Sequence, residues 1–238
     1  MKVPPAAHAG MGAADALEEL CERKRALEAG DTATPGYAKR LRDLRTWQAV
    51  RLAQTYDDLR RDPRYCAAVE FFLNDLYGPQ DLSRRDKDLL RACRHFARVL
   101  PDAALEILEL ALALDVLSAE LDHAMARQLG RGGLTAAAYA AAYRRVGRRG
   151  DRQRQIDLLI GIGGNLDRIV RQRWIGLSLR AARLPARVAG LGALQAFLER
   201  GFCAFREMRG AQGLLETIRE RETRQMHTLF GGAREGAE

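Results

Sequence analysis

Apolar residues recur three or four positions apart along almost the whole chain of 238 residues, and the strict alternation typical of β-strands is nearly absent. In the segment 62–77, for example, one side of a helical wheel carries Tyr65, Val69, Phe72, Leu73 and Leu76. The pattern predicts an all-α fold, a single-domain helical bundle of about eight or nine helices over residues 13–231. We expect residues 1–12 and 232–238 to be disordered termini.

Prolines, glycines and capping residues divide this pattern into separate helices. Proline favours the first turn of a helix and glycine the position after its end, and a side chain such as that of Thr135 can cap a helix start. On these signals, the predicted helices cover approximately residues 13–29, 36–61, 62–77, 84–100, 102–129, 136–147, 151–175, 185–208 and 211–231.

Three acidic residues fall within apolar helix faces. The helix predicted over 102–129 is apolar around most of its circumference, which places it near the middle of the bundle, yet Asp115 and Asp122 lie inside its apolar arc. Glu222 lies at the centre of the apolar arc of the last helix. A buried carboxylate is costly unless it is paired. The sequence therefore leaves two interpretations, ion pairs with arginines of other helices or a polar pocket inside the bundle.

Glu120 and His123 form an E-x-x-H match on the same helix. Carboxylate-bridged di-iron bundles use this spacing, but they use two such motifs and two further glutamates, and the chain has no second match. The helical wheel places both residues on the polar side, which favours a solvated pair. They remain weak candidates for a metal site, and we expect neither a metal nor a cofactor.

Gly161, Gly163 and Gly164 interrupt a predicted helix. The segment has no preceding strand and no Walker lysine, so it is not a nucleotide-binding loop. A glycine inside a helix costs about 1 kcal/mol relative to alanine, which some other interaction must offset. Close helix packing is one explanation. Room for a flat ligand, by analogy with the glycine-kinked helix of heme-oxygenase-like folds, is the other.

Positive charge is concentrated in one quarter of the chain. The formal net charge is +8, and residues 134–187 hold twelve Arg against three Asp, which leaves a net charge of −1 for the rest. If a helix continues through the glycines near position 150, several arginines share one face and can contact phosphates or an acidic protein. The predicted anion-binding residues are Arg144, Arg145, Arg148, Arg149 and Arg152. Internal pairing of these arginines is the alternative.

The N-terminal residues lack the apolar core of a secretory signal, and no uncharged run is long enough to span a membrane. We therefore expect a cytoplasmic protein without a membrane span. None of the four cysteines lies in a C-x-x-C pair, and all fall in predicted helices. We expect them to be buried and reduced.

The segment 71–86, which reads FFLNDLYGPQDLSRRD, resembles a signature of uncharacterised all-helical bacterial proteins, and residues 192–206 are similar to the same group. The resemblance implies an all-α fold and no particular activity. Within this segment, Asp75 and Tyr77 lie at a predicted helix end beside the Gly78-Pro79 turn. They form either a structural corner or the lip of a pocket.

Two functional hypotheses follow from the sequence. The first is a non-enzymatic binding or regulatory module that contacts an acidic partner, a protein or a nucleic acid, through the Arg-rich region. The second is a small-molecule or metal-dependent enzyme, built as a heme-oxygenase-like or ferritin-like bundle, with a site lined by the buried carboxylates. A homodimer is compatible with both.

Overall fold

The computed structural model describes residues 13–29, 36–76, 102–130 and 133–231. Within these ranges the chain forms helices and no strand, which confirms the predicted all-α class. A π-helical turn, Phe72–Leu76, extends the fourth helix. The α-helices are α1 (Ala13–Ala29), α2 (Tyr37–Thr55), α3 (Asp57–Arg61), α4 (Cys66–Phe71), α5 (Asp102–Gln128), α6 (Ala136–Val146), α7 (Arg149–Val170), α8 (Arg173–Ala181), α9 (Arg183–Val188), α10 (Gly192–Met208) and α11 (Gln212–Gly231).

The long helix α5 lies in the middle of the bundle, as its apolar circumference predicts. It packs against α1, α2, α6 and α7, and its residues Leu121 and Met125 are completely buried. The largest apolar cluster joins α5 to residues of α2, α4, α7, α10 and α11. No helix among the described residues is both long enough and apolar enough to cross a membrane.

The helix predicted over 36–61 is interrupted at Tyr56, whose φ of −113° and ψ of 16° separate α2 from α3. The Tyr56 side chain is buried, and Arg221 of α11 donates a hydrogen bond of 2.6 Å to the carbonyl oxygen of Thr55. This contact satisfies an acceptor that the interrupted helix leaves without its usual partner. The interruption therefore depends on a residue more than 160 positions away, and local pattern does not predict it.

Two other predicted boundaries are also wrong. The helix predicted over 151–175 ends at Val170, because Gln172 adopts an extended conformation before α8 begins. Pro185, the predicted start of a long helix, lies inside the short helix α9. That long helix is divided at residues 189–191, where Gly190 has a φ of 71°. By contrast, Thr135 caps α6 as predicted, and its hydroxyl oxygen accepts a hydrogen bond from the amide of Ala138.

The glycines of α7 allow close helix packing, one of the two explanations that the sequence left open. A Cβ atom on Gly163 would lie 2.4 Å from Cδ2 of Leu215 in α11, so α7 and α11 approach closely at this position. A Cβ atom on Gly164 would meet no other atom within 4 Å. Close contact with α11 therefore accounts for Gly163 and not for Gly164.

These environments predict opposite effects for two Gly→Ala substitutions. Gly164→Ala should raise the free energy of unfolding by about 1 kcal/mol, because alanine favours helix and the site is open. Gly201→Ala should lower the free energy of unfolding by about 1–2 kcal/mol, because the Cβ atom of the new alanine would lie 2.8 Å from Cζ of the buried Phe71. Urea denaturation of both variants measures the difference, and equal shifts for the two variants would contradict this packing.

Candidate functional site

Glu222 faces an arginine rather than a polar pocket. Nη1 of Arg51 lies 2.8 and 2.9 Å from the two carboxylate oxygens of Glu222, and the Tyr56 hydroxyl donates a third hydrogen bond of 2.9 Å to Oε1. The three residues join α11 to α2 and to the turn after it. The ion-pair interpretation therefore holds for this carboxylate.

Burial and charge keep the Tyr56 phenol and the Arg51 guanidinium protonated. Burial, followed by the negative charge of Glu222, raises the pKa of Tyr56 far above its ordinary value, so the phenol stays protonated and acts as a donor. Burial alone would lower the pKa of Arg51, but the charge and hydrogen bonds of Glu222 outweigh it and raise that pKa. The cluster therefore has the properties of a structural ion pair.

The two acids of α5 also have partners on neighbouring helices. Lys24 of α1, itself buried, places its Nζ 2.7 Å from Oδ2 of Asp115. Asp122 accepts hydrogen bonds from Nε of Arg45 at 3.3 Å and from Nε2 of Gln48 at 3.1 Å, both on α2. The partner of Asp115 is a lysine, whereas the sequence suggested an arginine.

The three acids of the predicted pocket have separate partners, whereas the structure does not describe the side chains of the other two residues of that prediction. Asp115, Asp122 and Glu222 lie in three separate ion pairs rather than around a common cavity. Tyr77 lies outside the described residues. Asp75 falls in the π-helical turn, where the structure describes its backbone and not its side chain.

Glu120 and His123 do not form the solvated pair that the helical wheel suggested. His123 is buried, and the hydroxyl of Tyr37 lies 2.5 Å from its Nδ1 atom, because the start of α2 covers this side of α5. Glu120 pairs instead with Arg23 of α1 and with Arg148. Among the described residues, no group of three or more His, Cys, Asp or Glu is arranged to hold a metal ion.

The predicted arginine face does not form either. The chain changes direction between α6 and α7, where Gly147 and Arg148 have φ values of 64° and 53°. The arginines on the two sides of this turn consequently project from different helices. The expectation of a single exposed face over residues 145–152, which required a continuous helix, is wrong.

Most of these arginines contact the protein itself. Arg148 bonds to Asp151 at 2.6 Å and to Glu120 at 3.2 Å, and Arg144 donates to the carbonyl oxygen of Leu229. The guanidinium of Arg149 lies 5.7 Å from the centre of the Phe230 ring. Arg145 is exposed, and within the described ranges its guanidinium bonds only to a carbonyl of its own helix.

Arg152 is 5% exposed, and the sequence placed it on the surface. Its guanidinium lies 4.4 Å from the centre of the Tyr143 ring, and Nη2 lies 3.0 Å from the sulfur of Met125. Among the described residues, its Nε atom has no hydrogen-bond partner and no carboxylate forms an ion pair with this arginine. Contact with an aromatic face stabilises a buried cation, which explains how the bundle holds this charge.

A different surface carries exposed apolar side chains that the sequence reasoning missed. Trp174, Leu177, Leu184 and Val188 of α8 and α9 are 57%, 63%, 71% and 83% exposed. With the exposed Ala181 they form what we call the α8–α9 seam. Their spacing of three and four residues was the available signal, but the same spacing is typical of a face buried in a core.

The Glu222 cluster provides a test of its structural role. Glu222→Gln should lower the free energy of unfolding by about 2 kcal/mol, because it leaves the charge of Arg51 inside the bundle without a counterion. Glu220→Gln removes an exposed carboxylate paired with Arg224, and it should change the free energy of unfolding by less than about 0.5 kcal/mol. Chemical denaturation measures both, and indistinguishable variants would show that the buried pair has no special role.

Comparison with known proteins gives a family without an assigned activity. A family model described as a domain of unknown function, DUF8198, matches residues 28–236. No curated protein matches the chain, and no solved structure does. The matched range contains α2 to α11, and therefore both the Glu222 cluster and the α8–α9 seam. The chain belongs to the DUF8198 family.

Proposed function

We propose that this chain is a non-catalytic binding module that recognises an acidic protein partner. The observation that carries the proposal is the α8–α9 seam beside Arg180 and Arg187. Both arginines are exposed, and neither forms an ion pair with a described residue. Exposed apolar patches of this kind, bordered by polar residues, are typical of protein interaction sites.

The charge balance of the molecule supports an acidic partner. The bundle pairs the acids that lie on the apolar faces of α5 and α11, since Asp115, Asp122 and Glu222 each contact a basic side chain. The positive excess of the chain consequently lies at other arginines, and no Asp or Glu occurs between residues 173 and 188. A surface with an excess of positive charge accelerates association with acidic partners and repels basic ones.

The alternative of an enzyme with a site among buried carboxylates receives no comparable support. General acid–base chemistry requires a carboxylate that can reach a substrate and change its protonation state. Asp115, Asp122 and Glu222 instead accept hydrogen bonds from cations that join α5 and α11 to their neighbours. We therefore favour the binding module over the enzyme.

We further propose that the module works in the cytoplasm. Cys21, Cys66 and Cys203 are free thiols, which fits a reducing compartment. Cys203 is exposed, so the prediction that all the cysteines are buried is wrong.

Binding to a fluorescently labelled poly-L-glutamate peptide of 20 residues tests the proposal. Anisotropy titrations should show binding that weakens as NaCl rises from 50 to 300 mM, because exposed charges are screened. The double variant Arg180→Glu/Arg187→Glu should weaken binding at least fivefold. The matched variant Arg154→Glu/Arg168→Glu, which reverses two exposed arginines of α7, should keep the affinity within about twofold.

A 20-base-pair DNA duplex distinguishes the other acidic partner class. If reversal of Arg180 and Arg187 weakens DNA binding and leaves poly-L-glutamate binding unchanged, the proposed protein partner is wrong. If both double variants weaken poly-L-glutamate binding equally, only the net charge matters and the α8–α9 surface is not the binding site.

A further inference from the structure

The exposed apolar residues of α8 and α9 follow a heptad pattern. Trp174, Leu177, Ala181, Leu184 and Val188 are spaced alternately three and four residues apart over two heptads. Apolar residues at these a and d positions form the narrow seam along which one helix packs against another. In this chain the seam faces solvent, as the exposed fractions of its large side chains show.

The two short helices present this seam on one side, since the backbone stays in the right-handed helical region at Ala182, between them. The amide of Ala182 bonds to the carbonyl of Ser178, and that of Ala186 bonds to the carbonyl of Ala182, both at 2.9 Å. Pro185 lacks an amide hydrogen, so it cannot donate the helical hydrogen bond to the carbonyl oxygen of Ala181. The break between α8 and α9 is therefore a local one.

The opposite face of α8 and α9 is firmly attached to α10. A Cβ atom on Gly176 would lie 2.9 Å from the Phe202 ring, and Gln195 donates a hydrogen bond of 2.6 Å to the carbonyl of Leu179. Arg183 forms a two-pronged ion pair with Glu199, and the hydrogen bonds from Arg183 lower the pKa of Glu199 to about 2. The seam is thus presented by a fixed support, and Arg183 is not available to a partner.

Charge lies on only one flank of the seam. Arg180 and Arg187 are seven residues apart and occupy the g positions of the heptads, whereas Ser178 and Pro185 occupy the e positions. Residues at e and g face the partner helix and determine which partner it accepts. Two copies of the seam in antiparallel pairing would bring the arginine rows of both copies together, so this charge pattern disfavours antiparallel self-association.

We infer that the α8–α9 seam docks an amphipathic helix of the acidic partner, with acidic side chains opposite Arg180 and Arg187. The inference rests on the proposed function and specifies its site and the form of its ligand. Trp174, Leu177, Leu184 and Val188 provide the apolar contact, and the arginine row determines the charge of the partner. An amphipathic helix that places its apolar face on such a surface is a common mode of peptide recognition.

The width of the apolar stripe and its uncharged flank, rather than its basic charge, favour a peptide helix over a lipid surface. Helices that lie in a membrane interface are typically rich in basic residues on the polar face beside a broad apolar face. Here the apolar stripe is a narrow a/d seam and one of its flanks carries Ser178 and Pro185. A peptide helix matches both features.

The test uses a labelled 21-residue peptide of three heptads with Leu at a and d and Glu at e and g. A second peptide of identical composition has its Leu positions scrambled, and a third has Lys in place of Glu. Fluorescence anisotropy with the full chain should show tight binding of the first peptide, at least tenfold weaker binding of the scrambled peptide, and no detectable binding of the Lys peptide.

Substitutions on the protein locate the site. Leu177→Ser/Leu184→Ser should weaken binding of the first peptide at least tenfold, because both side chains lose their apolar contact. Val50→Ser removes an apolar side chain of α2 that is 52% exposed, and it should leave the affinity within about twofold. Circular dichroism of each variant verifies that the helical content is retained.

Each contrary result identifies which claim fails. If the scrambled peptide binds as tightly as the first, or if Leu177→Ser/Leu184→Ser has no effect, the docked helix is wrong while acidic recognition stands. If neither the peptides nor poly-L-glutamate bind, the proposed function itself fails. If the seam variant loses binding to phosphatidylserine vesicles, or changes a dimer to a monomer in sedimentation velocity, while peptide binding is absent, the occupant is a membrane or a second copy.

Discussion

Burial of α5 on several sides is the constraint on which the other helices depend. Leu112 and Val116 pack against residues of α1, and Met125 packs against residues of α2, α6 and α7. Each buried side chain of this size contributes roughly 1.5–3 kcal/mol through loss of apolar surface from water. A helix that is apolar around most of its circumference is stable only when several neighbours cover it.

The acids of α5 must therefore find their partners on those same neighbours. Asp115 meets Lys24 of α1 and Asp122 meets Arg45 of α2. These pairs are only partly buried, so each formed pair contributes little to stability, and its main effect is on position. The ion pairs consequently fix which turn of each neighbour faces α5.

Much of this arrangement follows from the order of the residues. The apolar arc of 102–129 predicts a central helix, and the acids within that arc predict basic partners. The cap at Thr135 is local and was predicted with its helix. Breaks that depend on distant residues could not be predicted in the same way. Tyr56 turns where Arg221 supplies a hydrogen bond from α11, and α7 ends before Gln172 without a glycine or proline to mark the position.

The surface prediction failed for a related reason. A wheel drawn through residues 145–152 assumes one helix axis, but the positive φ angles of Gly147 and Arg148 end one helix and begin another. Arg152 then projects into the bundle beside Tyr143, while Arg148 reaches back to Glu120 of α5. Charge density along a sequence therefore indicates where arginines are numerous. It does not indicate which of them reach solvent, because two residues with positive φ are sufficient to end one helix and begin another.

The helices α5, α8 and α9 differ in how many neighbouring helices cover their apolar faces. Both segments are apolar on more than one face, so periodicity alone assigns both to the core. Four helices cover α5, whereas α8 and α9 pack mainly on α10, with α8 also touching the end of α7. Covering a second face would require another helix, and the described chain places none there, as the exposure of Leu184 and Val188 shows. Keeping large apolar side chains in water without such a cover opposes folding and favours aggregation. A helix supplied by another molecule would give the seam the same cover that α5 receives from its own chain, and the row of arginines beside it would select that helix by its charge.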